Sequence, residues 1–192
     1  MKRLGIVLFA VATAFLFSSC GYNQMVQLDE QVTSQWSQVE NVYQRRADLI
    51  PNLVNTVKGY AEHERETLEG VVEARAKATS VQVDPEKLSP EALQQFNQAQ
   101  DGLSSALGKL MVVVERYPDL KANQNFLDLQ AQLEGTENRI AVERKKFNET
   151  TQTYNAYIRE FPRVIYSGWL GFDKKAYFQS QPGAEKAPEV QF

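Results

Sequence analysis

The sequence predicts an all-α fold: an elongated antiparallel bundle of three long helices, the first kinked at Pro51 or split there to give four, closed by a short aromatic segment near the C-terminus. Three observations predict it. Apolar and stripe-forming residues recur at the helical period over long stretches. Breaker residues are confined to a few short places. No run of useful length alternates with period two, the pattern of a half-buried strand.

The chain opens with Lys2-Arg3, an uncharged apolar run from Leu4 to Phe17, and then Ser18-Ser19-Cys20. A basic start, a short apolar run and small residues ahead of a cut site describe a secretory signal peptide. Fourteen helical residues span about 21 Å, short of the ~30 Å hydrocarbon core, so a permanent transmembrane span is the weaker reading. Leu16-Phe17-Ser18-Ser19-Cys20 resembles a bacterial lipobox, with Phe17 in place of the commoner Leu. Cys20 is the sole cysteine and has no disulfide partner to explain it. The expected organisation is therefore a lipoprotein signal peptide at 1–19, a lipidated tether at 20–27, a helical domain at 28–178 and a flexible tail at 179–192.

Loss of Lys2 and Arg3 takes the formal charge from −3 to −5. A mildly acidic domain without a basic run is a poor candidate for nucleic acid or for electrostatic binding to anionic lipid. Attachment to a membrane is expected through lipid on Cys20.

The first helix carries the longest stripe: Leu28, Val32, Trp36, Val39, Tyr43, Arg46, Ile50, Leu53, Val57, Tyr60, Glu64, Leu68, Val71 and Arg75. Its steps average about 3.6 residues. Pro51 interrupts the backbone ladder inside it, yet the stripe keeps phase, which favours a kink over a turn. Asp84-Pro85 and Ser89-Pro90 mark a loop. Ser89 as N-cap and Pro90 at the first helical position then start a second helix, ending near Tyr117-Pro118. The third starts near Asn123 or Asn125. Its stripe from Phe126 to Phe161 averages about 3.5 residues per step, the period of helices that wrap in coiled-coil fashion. Residues 163–178 are aromatic and interrupted by Gly.

The chemistry-bearing constellations are few. His63 is the only histidine, and no nucleophile elbow, phosphate loop or dinucleotide glycine signature is present. Glu62, His63 and Glu66 have helical metal-ligand spacing, but residue 67 is Thr where a second histidine would complete a zinc motif. No cofactor, no metal and no catalysis are expected. Polar residues within the stripes carry more information. Arg46, Asn52 and Asn55 lie on or beside the first stripe, and Thr136, Glu137 and Glu143 on or beside the third. Arg46 is expected to pair with Glu137 or Glu143 as a polar seam that sets register; hydrated flanking positions are the alternative. Gly135 sits mid-helix and costs about 1 kcal/mol against Ala unless a backbone approaches closely there. Tyr166, Trp169, Phe172, Tyr177 and Phe178 form the densest aromatic cluster, read either as a cap over the bundle end or as a partner patch, with Trp169 and Phe172 assigned to the cap.

Several stretches together resemble the LemA family: RRADLIPNLVNTVKGYAEHE at 45–64, ERYPDLKAN at 115–123, LEGTENRIAVERKKFN at 133–148, YNAYIREFP at 154–162 and GFDKKAYF at 171–178. The resemblance runs in order along nearly all of the domain. It implies a bacterial envelope protein with a helical-bundle domain and carries over no catalytic residue. Many members have an N-terminal membrane helix where this chain shows a lipobox. A lipid-anchored interaction or scaffold module with an envelope protein partner, facing the periplasm from the outer membrane, is the expected function. An envelope enzyme or metal-dependent accessory factor using His63 is the alternative.

Overall fold

The structure, a computed structural model, describes the backbone of residues 2–179 and the side chains of 21–179. The proposed signal peptide, Cys20 itself and the tail at 180–192 thus lie outside the described side chains. Helix α1 spans Lys2–Lys58, α2 Arg65–Ser80, α3 Pro90–Val114, the single turn α4 Pro118–Lys121 and α5 Gln124–Arg159, followed by 3-10 turns at Arg163–Ile165 and Gly168–Leu170. No strand occurs among the described residues, and the all-α class holds.

The first helix differs from the expectation in where it ends. It runs unbroken through Pro51 and stops at Lys58; the chain turns at 59–64 and returns as α2. The bundle therefore has four helices of length, and the turn lies beyond the proline. The stripe kept phase because residues on both sides of the turn face one core: Val57, Ala61, Leu68 and Val71 are all buried in it. Gly59, next to the break, was the breaker that the periodicity masked.

Continuity across Pro51 has a specific cause. Proline lacks the N–H that would bond the carbonyl four residues back, leaving the Ala47 oxygen free on a buried residue. Arg75 reaches across from α2, and its Nε donates to that oxygen at 2.7 Å. The helix continues past residue 51 while its neighbour supplies the missing donor.

The expected cap at Ser89 holds, and so does the expected start of the third helix near Asn123. The Ser89 side chain accepts from Ala92 N, with Pro90 at the first helical position. Asn123 accepts from Phe126 N and starts α5. The second long helix stops at Val114, three residues earlier than expected, before a turn leads into α4.

α5 packs along α1, and α2 packs against both α3 and α1. The interior divides in two. A distal core joins Ile50, Leu53 and Val57 of α1 to Leu68 and Val71 of α2, Leu103 to Val114 of α3, and Phe126 and Leu133 of α5. A proximal core joins Met25 to Tyr43 of α1 with Leu93, Phe96, Ile140 to Ile158, and Phe172 and Phe178. Residues 21–27, expected as a loose tether, belong to α1, and Met25 is fully buried.

Candidate functional site

Between the two cores lies a polar layer centred on Arg46, 2% exposed. One guanidinium nitrogen donates to Glu137 Oε1 at 2.6 Å and to Ser104 Oγ at 3.0 Å. The other donates to Gln100 Oε1 at 2.6 Å, and the Gln100 amide in turn donates to the Ala78 carbonyl near the end of α2. The guanidinium also sits over the Tyr43 ring at 5.1 Å. One side chain thereby ties α1, α2, α3 and α5 at one level. Glu143, the alternative partner, is elsewhere: it accepts from Gln35 and Lys146, which hold its carboxyl below the usual range, the Lys146 bond being the larger cause. Asn52 and Asn55 are exposed, whereas Thr136 is buried and its hydroxyl donates to the Gln132 carbonyl.

The arrangement around Arg46 is a polar layer inside the bundle, held by side chains of α3 and α5. The Glu137 side chain is half exposed rather than enclosed. Such a charged layer costs desolvation and returns register, since a helix slipped by one turn would strand the cation.

A second site lies at the C-terminal strap, residues 172–179. Asn155 bonds the Lys175 backbone in both directions, Nδ2 donating to Lys175 O at 2.8 Å and Oδ1 accepting from Lys175 N at 2.9 Å. Asn148 does the same for Phe178, at 3.0 and 2.9 Å. The spacing is a physical match: seven helical residues rise about 10.5 Å, and three extended residues cover about 10 Å. The strap thus runs antiparallel to α5 with its backbone groups satisfied by two side chains. These asparagines were missed in the sequence, although the pairs Phe147-Asn148 and Tyr154-Asn155, one heptad apart, are a legible signal.

Lys175 fastens the other side. It is buried, with Nζ 2.7 Å from Asp29 of α1 and within reach of the Pro85 carbonyl. Ala176 N donates to Leu88 O, joining the 81–89 loop. Burial, with the Asp29 charge as second cause, pushes the Tyr154 phenol well above its ordinary value; its hydroxyl donates to Asp173 O.

The aromatic cluster separates into two groups. Phe172 and Phe178 are buried, and Phe178 stacks on Trp36 at 5.8 Å between centroids. Tyr166 and Tyr177 are half-buried. Trp169, assigned to the cap from its spacing with Phe172, is 87% exposed. Positive φ at Gly171 turns the chain between them, so the two rings leave on different sides. Beside the strap, an open groove of about 520 Å³ is lined by Leu93, Asn97, Asp101, Arg144, Lys174 and Tyr177 among others.

His63 is exposed on the distal turn, as are Glu62 and Glu66, and no group of three or more metal-ligating side chains gathers among the described residues. The adjacent Glu64 is taken up structurally, accepting from Arg116 and from the Tyr117 hydroxyl. No Cβ added at Gly135 would meet another group, so no close approach accounts for it.

The chain is similar along most of its length to known bacterial proteins. Magnetosome protein MamQ 2 of Paramagnetospirillum magneticum is 28% identical across 85% of this chain. Magnetosome protein MamQ of Magnetospirillum gryphiswaldense is 27% identical across the same share. Protein LemA of Metamycoplasma hominis is 25% identical across 88% of this chain and 72% of its own length. This chain spans 66% of the length of each magnetosome relative. The family model described as LemA matches residues 35–192, a range that takes in the Arg46 layer, the distal turn, both strap asparagines and the strap itself; the chain belongs to the LemA family.

Proposed function

We propose that this protein is a lipid-anchored scaffold module of the bacterial cell envelope, which presents a helical surface to a partner protein and performs no catalysis itself. The observation that carries this reading is that α1 passes from Cys20 straight into the core, with Met25 already buried. A domain whose first helix starts at the lipid-bearing residue is held close to the membrane. From Gly21 to Lys58 that helix rises about 57 Å, placing the distal turn at 59–64 well away from the lipid.

Cys20 is the attachment point in this reading, as the lipidated first residue of the mature chain. Two or three acyl chains hold stably where one binds only marginally, at about 0.8 kcal/mol per buried CH₂. Gly21 follows it where an aspartate would favour inner-membrane retention, so the outer membrane is the assigned location, with the domain in the periplasm. Cys20→Ala is expected to accumulate as the uncut precursor. A variant that is processed and fractionates like the native protein overturns the lipid anchor. Purification of the tagged lipoprotein from envelope membranes, with identification of what accompanies it, tests the scaffold role.

A further inference from the structure

Among the described residues, most exposed large hydrophobics are scattered singly over helix faces, as at Val72, Val112 and Val142. One stretch is different. Phe161 is 80% exposed and Trp169 87%, and between or beside them Val164, Ile165 and Leu170 are each about half exposed. Five such residues fall within ten positions, four of them in the 3-10 turns that follow α5 and Phe161 just ahead of them.

Their place in the fold is specific. The Tyr166 hydroxyl lies 3.1 Å from where a Cβ on Gly21 would sit, with the Arg163 stem beside it. Tyr22 meets Phe172 edge to face at 5.6 Å. The stretch therefore lies against α1 at Gly21, directly after Cys20. The sole charge in 161–170, Arg163, is turned inward: Nε donates to the Tyr157 carbonyl, the guanidinium covers the Tyr157 ring at 3.8 Å, and Glu160 pairs with it. What faces outward is aromatic and aliphatic.

We propose that residues 161–170 form a collar that sinks into the headgroup region of the lipid bilayer that holds the N-terminus. This rests on the membrane-anchored reading above. Met25 is fully buried only five residues after Cys20, about 7.5 Å of helix. The anchor has no slack, so the collar end of the bundle must meet the lipid surface. Trp, Phe and aliphatic side chains with no outward charge suit the interfacial zone. The acidic net charge of the chain leaves apolar insertion, rather than attraction to anionic headgroups, as the mode of contact. The collar sets the tilt of the bundle on the membrane, which the lipid chains alone would leave free.

The two tryptophans provide the test, since Trp36 is fully buried and Trp169 is the exposed one. The full lipidated chain carrying Trp36→Phe is reconstituted into vesicles of phosphatidylethanolamine and phosphatidylglycerol. Emission is then read with lipids brominated near the headgroup or near the chain end. The difference between the native chain and its Trp169→Phe variant gives the same signal with Trp36 left in place. Expected is a blue-shifted Trp169 emission that loses most of its intensity to headgroup-proximal bromine and less to deep bromine. A chain that sediments with vesicles while Trp169 keeps a water-like, iodide-quenched emission overturns the collar and leaves the anchor intact. A blue shift without quenching by brominated lipid means that protein covers the patch, and also overturns it. A chain that does not sediment with vesicles overturns both readings.

Discussion

Distal to Arg46, the groove left by α1 and α5 is filled by α2 and α3; proximal to it, α2 has ended at Ser80 and the strap with the 81–89 loop fills the space. The two covers solve the backbone problem differently. A helix satisfies its own N–H and C=O groups, so the distal half asks its neighbours mainly for apolar packing, the Ala47 carbonyl opposite Pro51 excepted. An extended strap on a helix has no ladder to join. Its polar groups must be met one by one, by Asn148, Asn155, Tyr154 and the Leu88 carbonyl. The proximal half therefore depends on the identity of a few side chains, and the distal half on their general character.

The strap is where this contrast breaks most visibly. Phe178→Ala should cost about 3–5 kcal/mol, because it empties a ring-sized volume against Trp36 and Phe147. Asn155→Ala, which leaves two buried backbone groups of Lys175 without partners, should cost about 1–3 kcal/mol. Trp169→Ala, on the exposed side of the same segment, should stay within about 0.5 kcal/mol. Thermal melting reads the losses, and hydrogen exchange locates them. Faster exchange confined to 25–36 and 83–93 is expected; uniform loss across both cores would show the halves to be one cooperative unit.

At the boundary, Arg46→Ala should cost about 2–4 kcal/mol, as it removes bonds to α3 and α5 and leaves Gln100 partly unpaired. Glu137→Ala should cost less, about 1–2 kcal/mol, since Gln100 and Ser104 still hold the cation. Arg46→Met tests the register role: a stable variant with altered cross-helix contacts by nuclear magnetic resonance is expected, and a stable variant with native contacts would remove that role.

Within the distal half, one contact should be as sensitive as the strap. Arg75→Met leaves the Ala47 carbonyl without its donor and should cost about 1–2 kcal/mol. In a Pro51→Ala background the residue-51 N–H can bond that carbonyl, and the same change should then cost clearly less. Equal losses in both backgrounds, by chemical denaturation, would refute the compensation. One change is expected to be a gain: Gly135→Ala meets open space on an exposed helix face and should stabilise by up to about 1 kcal/mol.

Period and capping are local properties, and they were legible. The stripes of α1, α3 and α5, the Ser89 and Asn123 caps and the all-helical class follow from spacing and from the hydrogen-bonding reach of single residues. Arg46 stood out for the same reason, as a charge placed on an apolar stripe. The break at Gly59 rather than Pro51 was decided by packing. A stripe records which face is buried and not whether the chain has turned, and Arg75 could repair the proline only from a helix that the turn itself creates. Between Glu137 and Glu143, two turns apart near one stripe, spacing does not choose; the level at which α1, α3 and α5 meet does. Phe172 and Trp169 share a spacing and differ in burial because Gly171 turns the backbone between them. The strap is the furthest from sequence, since its partners lie twenty to thirty residues away on α5. An extended segment has no period-dependent partner of its own, so only the finished helix surface determines where its backbone can bond.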